Sequence, residues 1–306
     1  MRVLVTGAAG LLGAHLATFF ARQHEVIGTD RHPWWGPQAL PFLLGDLGHS
    51  GFGEKLVREV RPDLLFHCAA MASVDGCEQN PEKAYFCNGE ITRRLAQALP
   101  PDGLFVYLST DGLFRGDRPL VEETETPSPK TVYGSSKLRG EREVQATVRN
   151  HLIVRTNFYG WSSGRKKTAG EWLYQALKEQ QPVTLFEDFY FSPLYVADFV
   201  ERLALLIQAG GRGIYHLCGA ERVSKCDFGL TLAQLAGFPT GQVRRGLLRE
   251  AHLPADRPQD MSLSSRRFCA LTGGGVPGCA EGLRRFLDDR ERPLQERLRA
   301  CAEHSV

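Results

Sequence analysis

Val3-Leu4-Val5-Thr6-Gly7-Ala8-Ala9-Gly10-Leu11-Leu12-Gly13-Ala14-His15-Leu16 stands near the start of the chain, and its order of residue types is the most informative in the sequence. A short apolar strand runs into glycines at 7, 10 and 13, and these run into an amphipathic helix. Backbone can close on a pyrophosphate only where side chains are missing. Gly7 allows a tight turn, Gly10 the close approach and Gly13 helix-to-sheet packing. Leu11 and Leu12 begin a helix whose N-terminus carries partial positive charge. The stretch predicts a dinucleotide cradle.

Working outward, short apolar runs alternate with helix-like stretches up to about residue 154, the pattern of βαβ units feeding a parallel sheet. Strands are expected at Val3–Thr6, Glu25–Thr29, Leu64–His67, Leu104–Ser109 and Leu152–Arg155, and helices at Leu11–Arg22, Phe52–Val60, Pro81–Ala98 and Tyr133–Arg149. The fold class is therefore α/β: a Rossmann-type doubly wound parallel sheet with a smaller C-terminal α/β substrate lobe. Residues 1–156 are expected to form the dinucleotide-binding domain and 157–306 mainly the substrate lobe, with the chain free to cross back.

Bulk composition narrows the classes. Apolar residues make up 42% and charged residues 24% of the 306, as in an ordinary folded soluble protein. A formal net charge of +2 with no long basic run argues against nucleic acid and favours a small-molecule partner. No apolar run has the length of a bilayer span and none reads as a signal peptide, so no membrane association and a cytoplasmic location are expected. The eight cysteines show no CxxC and no metal-ligand spacing with histidine, which predicts free thiols and no metal site. His15, His67 and His216 lack carboxylate or cysteine partners at ligand spacing and read as structural.

Asp30 ends the second strand, where a carboxylate accepts hydrogen bonds from the adenosine ribose and favours NADH. Arg31 beside it could pair with a 2′-phosphate and favours NADPH, so both cofactors stay open. Tyr133 and Lys137 lie one helical turn apart and face the same way. An ammonium beside a phenol stabilises the phenolate and brings a hydroxyl of ordinary pKa about 10 nearer to working range. Ser109-Thr110-Asp111 follows the fourth strand at the carboxyl edge of the sheet, where open α/β proteins bind ligands.

Gly7-x-x-Gly10-x-x-Gly13 and Tyr133-Gly134-Ser135-Ser136-Lys137-Leu138-Arg139-Gly140-Glu141 together resemble the extended short-chain dehydrogenases/reductases. Leu108-Ser109-Thr110-Asp111-Gly112-Leu113-Phe114-Arg115-Gly116 is similar to the L-S-T-D-Y-V-F-x-G stretch of the dTDP-4-dehydrorhamnose reductase family. Ala69-Ala70 with Val74-Asp75, Cys77-Glu78 and Pro81-Glu82, then Asn88, Arg155-Thr156, Tyr159-Gly160, Asp198 and Arg257-Pro258, extend the likeness over nearly the whole chain. It implies hydride transfer to C4 of a nucleotide-activated 4-keto-6-deoxysugar, forming dTDP-L-rhamnose, with Tyr133 donating the proton and Thr110 and Lys137 stabilising the developing charge. It further implies cofactor contacts from Asp46, Leu47, Ala69, Ala70, Tyr133 and Lys137, and it leaves a homodimer open.

Departures fall around the expected sugar. Asn157-Phe158 replaces the family's tryptophan, Gly112 its tyrosine, and Phe191-Ser192-Pro193-Leu194 its G-x-P-T element. Ser109, Thr110, Asp111, Asn157, Phe158 and Arg257 are the substrate-binding candidates, Arg257 as a partner of the nucleotide diphosphate. Arg165, Lys166, Lys167, Arg244 and Arg245 read mostly as solvated surface. An NAD-dependent nucleotide-sugar 4-epimerase would use the same tyrosine and hydroxyl, and a non-catalytic dinucleotide-binding regulatory subunit would keep the same fold.

Overall fold

The computed structural model describes residues 1–36, 39–162, 167–251 and 253–292. Arg165, Lys166 and Cys301 lie outside them. The first half runs β1 (Arg2–Thr6), α1 (Leu11–Phe20), β2 (Glu25–Asp30), β3 (Phe42–Leu44), α2 (Phe52–Val60), β4 (Leu64–His67), α3 (Val74–Gln79), α4 (Pro81–Tyr85), α5 (Ile91–Ala98), β5 (Leu104–Leu108), α6 (Val132–Thr147) and β6 (His151–Arg155). The second half runs β7 (Phe158–Tyr159), α7 (Ala169–Lys178), β8 (Val183–Phe186), β9 (Tyr190–Phe191), β10 (Leu194–Tyr195), α8 (Val196–Gln208), β11 (Gly213–His216), β12 (Val223–Ser224), α9 (Lys225–Ala236), β13 (Val243–Gly246), α10 (Arg266–Thr272) and α11 (Cys279–Asp288).

Seven parallel strands form the main sheet in the order β11-β6-β5-β4-β1-β2-β3. Strand order reverses between β1 and β4, which places the ligand crevice of a doubly wound sheet at their carboxyl ends. Side chains alternate between faces. Val3, Val5, Leu64, Phe66, Val106 and Val154 pack into one hydrophobic layer, while Leu4, Leu65, Phe105, Tyr107 and Ile153 pack into the other. Continuous apolar strands such as β4 and β5, buried throughout, follow from helices covering both faces.

The sheet differs from the sequence expectation at its margins. β3 is an edge strand with Leu43 and Leu44 exposed, so it carries neither the length nor the burial that marks a central strand. β11 returns from the second half of the chain to pair with β6. The helix expected over Pro81–Ala98 is interrupted by a π-helical turn at Phe86–Glu90. Asn88 explains the interruption: its side chain accepts from the Met71 amide (2.8 Å) and donates to the Met71 carbonyl (3.1 Å) and to Ser136 Oγ (2.9 Å). Its own carbonyl accepts from the Tyr107 hydroxyl (3.1 Å). These bonds pull one residue out of the helical repeat, as π-bulges at functional sites do.

The second half builds three small two-stranded sheets, β10 with β7, β12 with β9 and β13 with β8, around an aromatic cluster of Tyr159, Trp161, Tyr174, Tyr195 and Phe286. No helix among the described residues is long and apolar enough to cross a membrane.

Candidate active site

β1 ends at Thr6 and the chain turns through Gly7, whose φ of +67° suits glycine. A Cβ there would meet the Ala69 amide at 2.6 Å, and one at Gly13 would meet the Gly7 carbonyl at 2.1 Å. The turn is thus pressed against the segment after β4 and against the first turn of α1. Gly10 supplies the N-cap of α1 with no side-chain cap, which leaves the amides of Leu11, Leu12 and Gly13 as the orphan donors of the helix. Such donors suit an anion.

Gly7, Gly10, Asp30, Arg31, Asp46 and Leu47 line one cavity of about 360 Å³, together with Ala69 and Ala70. His32, Met71, Lys83, Cys87 and Ile91 line it too, and sequence reading passed over all five. The Leu11 and Leu12 side chains turn into the core, so only their backbones are available to a ligand. Asp30 is already engaged: Oδ2 accepts from the Ala9 amide (3.1 Å) and Oδ1 from the His32 amide (2.9 Å). Trp35 donates from Nε1 to the Ala9 carbonyl (2.8 Å) and stacks near Trp34, fastening the segment after β2 to the glycine turn. The glycine turn, the uncapped helix end and the Asp30–Arg31 edge fit a dinucleotide.

A second cavity of about 350 Å³ is lined by Ser109, Thr110, Asp111, Tyr133, Asn157, Phe158 and Arg257, which gathers the expected catalytic hydroxyls and substrate contacts in one place. Its size is that of a small-molecule site. Thr131 caps α6 by accepting from the Gly134 amide (3.0 Å), so the helix begins where Tyr133 faces the cavity. Buried Arg155 donates to both oxygens of Glu141 (3.0 and 2.8 Å), locking α6 to the end of β6.

Thr110 Oγ1 donates to Asp111 Oδ1 (3.1 Å), accepts from the Gly112 amide (3.2 Å) and lines the same cavity as the Tyr133 phenol. Asn157 donates to Asp111 Oδ2 (2.6 Å). Burial raises the Asp111 carboxyl to about 6, against the bonds from Asn157 and Thr110. The expected lowering of the tyrosine does not occur: burial pushes the Tyr133 hydroxyl up to about 12, with the nearby Thr110 hydroxyl opposing. Lys137, 2% exposed, places Nζ 4.0 Å from the centroid of the Tyr107 ring, and burial lowers it to about 7 against the pull of Glu141. A phenol held protonated is a proton donor, and a lysine so placed still sits one turn below it on the same helix.

Arg257 is reached by the cavity but donates to Asp75 Oδ1 (2.8 Å), bridging two distant parts of the chain across the opening. The three histidines are held by hydrogen bonds, His67 between Thr6 and Thr92, His216 at the Val121 carbonyl and His15 at the Leu11 carbonyl. The described cysteines are free thiols. Among the described residues no group of acidic, histidine and cysteine side chains forms a metal cluster.

The model of the RmlD substrate binding domain family matches residues 1–292. The chain belongs to that family. It is 31% identical over 281 residues to a dTDP-4-dehydrorhamnose reductase of Mycobacterium tuberculosis, covering 89% of this chain and 87% of the relative. It is also 31% identical over 289 residues to a probable low-salt glycan biosynthesis reductase of Haloferax volcanii, covering 92% and 94%. The solved dTDP-4-dehydrorhamnose reductase of Bacillus anthracis, in complex with NADP, superposes with a TM-score of 0.84 at 29% identity, covering 94% of this chain and 99% of that one.

Sequence reading of this RmlD-family chain missed Lys225, Phe189 and Met261, which also line the second cavity, and gave Thr156 no place in the site. Lys225, Phe189 and Met261 come from separate segments of the chain, so no local motif marks them together.

Proposed function

We propose that the protein reduces the C4 carbonyl of a nucleotide-activated 4-keto-6-deoxysugar with NADPH or NADH, in the manner of dTDP-4-dehydrorhamnose reductases, with residues 1–156 chiefly serving the dinucleotide and the chain from 157 chiefly the sugar nucleotide. The observation that carries this reading is that Tyr133 and Thr110 line one cavity while the glycine turn lines another. The relatives named as reductases support it over the whole length.

A bound nicotinamide would supply hydride. The chain's own residues do the rest. The amides of Leu11, Leu12 and Gly13 would take the pyrophosphate, and Asp30, Arg31, Asp46, Leu47, Ala69 and Ala70 would wall the adenosine side. Tyr133, protonated at neutral pH, gives its proton to the oxygen emerging at C4. Thr110 would hydrogen-bond the same oxygen by turning its single proton away from Asp111, and Lys137, one helical turn from Tyr133, would favour the charge building there when protonated. Asp111 holds the Thr110 hydroxyl, and Asn157 holds Asp111. Ser109, Asn157, Phe158 and Arg257 would meet the sugar nucleotide.

The test follows the absorbance of NADPH and NADH with dTDP-4-dehydro-6-deoxy-L-lyxo-hexulose. Turnover is expected from the native protein, with a loss on the order of 10²–10⁴ in Tyr133→Phe while cofactor still binds. Cofactor binding without turnover of this or any other 4-keto-sugar would overturn the proposal in favour of a regulatory, partner-binding role.

A further inference from the structure

Lys225 occupies a place that ordinary stability would not choose. It is the first residue of α9, where the helix end carries partial positive charge and a cation is disfavoured. Its side chain lines the second cavity, yet among the described residues it has no hydrogen-bond acceptor or carboxylate at bonding distance. Its ammonium rests instead 3.2 Å from the centroid of the Phe191 ring and 5.3 Å from that of Phe189. The backbone fixes it there: the Lys225 amide donates to the Phe189 carbonyl (2.8 Å), and the β9–β12 pair holds the two segments together.

The same cavity contains two more unused donors. Ser109 Oγ and Thr156 Oγ1, on residues 6% and 4% exposed, find no hydrogen-bond partner. Buried polar groups are ordinarily satisfied, so two unpaired hydroxyls on residues that line the same cavity as an ammonium resting only on aromatic rings point to a ligand with polar groups there. Asp111, close enough to act on Lys225 electrostatically, supplies the complementary acceptor, since each of its oxygens takes a single bond from Thr110 or Asn157. A diphosphate meeting Arg257 would have to displace its pair with Asp75, whereas Lys225 and Asp111 line the cavity together with Thr110.

We propose that Lys225 determines substrate specificity by donating to a hydroxyl on a ring carbon next to the reacting carbonyl, with Asp111 accepting from that hydroxyl. The inference rests on the reductase reading and narrows it to 4-keto-sugars that keep this hydroxyl, as against 3-deoxy sugars. A site that hydrogen-bonds a substrate hydroxyl rejects the analogue lacking it far more strongly than an apolar pocket rejects a missing methylene.

The experiment compares kcat/KM of the native protein, Lys225→Met and Lys225→Arg on a nucleoside-diphospho-4-keto-6-deoxyhexose and on the same compound without its 3-hydroxyl. The native protein is expected to prefer the hydroxylated ketone by at least about tenfold. Lys225→Met, which keeps the apolar stem, should lose most of that preference by slowing on the hydroxylated ketone alone, and Lys225→Arg should recover part of it. An equal loss on both ketones in Lys225→Met would show that the lysine only braces Phe189 and Phe191, and an unchanged ratio would show that it reads nothing; either result overturns the inference and leaves the reductase standing. Native turnover of neither ketone would overturn the reductase reading and this inference with it.

Discussion

Replacing Asp111 by asparagine should make the protein more stable near neutral pH and leave it almost unchanged at pH 4. The carboxyl is 4% exposed, and burial raises it from an ordinary 3.8 to about 6. A group whose folded pKa lies above its unfolded value binds more protons when folded, so stability falls as pH rises between about 4 and 6 and is level above that. A difference of roughly two pKa units at 1.36 kcal/mol each makes the penalty about 3 kcal/mol at pH 7. Asparagine keeps an oxygen for the Thr110 hydroxyl, and Asn157 can turn its amide to match. Lys137 and Lys225 stay protonated across the lower part of this window, which isolates Asp111. Urea unfolding of both proteins at pH 4, 5, 6 and 7 would give the difference directly. If the two stability curves run parallel over that range, the Asp111 carboxyl is not held protonated by the fold and the reasoning is wrong.

Arg31→Ala should cut activity with NADPH by about tenfold or more and leave NADH within about twofold, because the lost guanidinium can pair only with a 2′-phosphate; equal losses with both cofactors in the kinetic assay would refute its placement. Gly13→Ala should destabilise the fold by about 1–3 kcal/mol, since its Cβ would lie 2.1 Å from the Gly7 carbonyl. A thermal unfolding midpoint unchanged from the native one would contradict this contact.

Much of the architecture could be read in advance because its determinants are local. β4 and α2 run as expected, Leu64–His67 and Phe52–Val60, since one is a continuous apolar run and the other an amphipathic repeat bounded by glycine and a positive-φ Arg61. The sheet edges were not legible: β3 is short and exposed, and the pairing of β11 with β6 depends on contacts far away in sequence. The π turn at Asn88 is set by bonds to Met71 and Ser136, which no helical periodicity encodes. At the site, glycines and YxxxK sit within single motifs and were found. Lys225 was not, because its neighbours Asp111, Phe189 and Phe191 belong to other segments. The state of Tyr133 also escaped, since burial rather than sequence spacing raises its hydroxyl.

The chain leaves the main sheet after β6 and comes back to the adjacent position as β11, so the intervening excursion begins and ends on neighbouring strands. Its two ends are held by the sheet, β6 by pairing with β5 and β11 by pairing with β6, and α8 is buried in the core between them. Asn157, Phe158 and Phe189 ride on that excursion, whereas Thr110, Tyr133 and Lys137 belong to the frame. The sugar side of the cavity thus draws on this excursion and on the chain beyond β11, where Lys225 and Arg257 lie, while the residues of proton transfer stay on the frame.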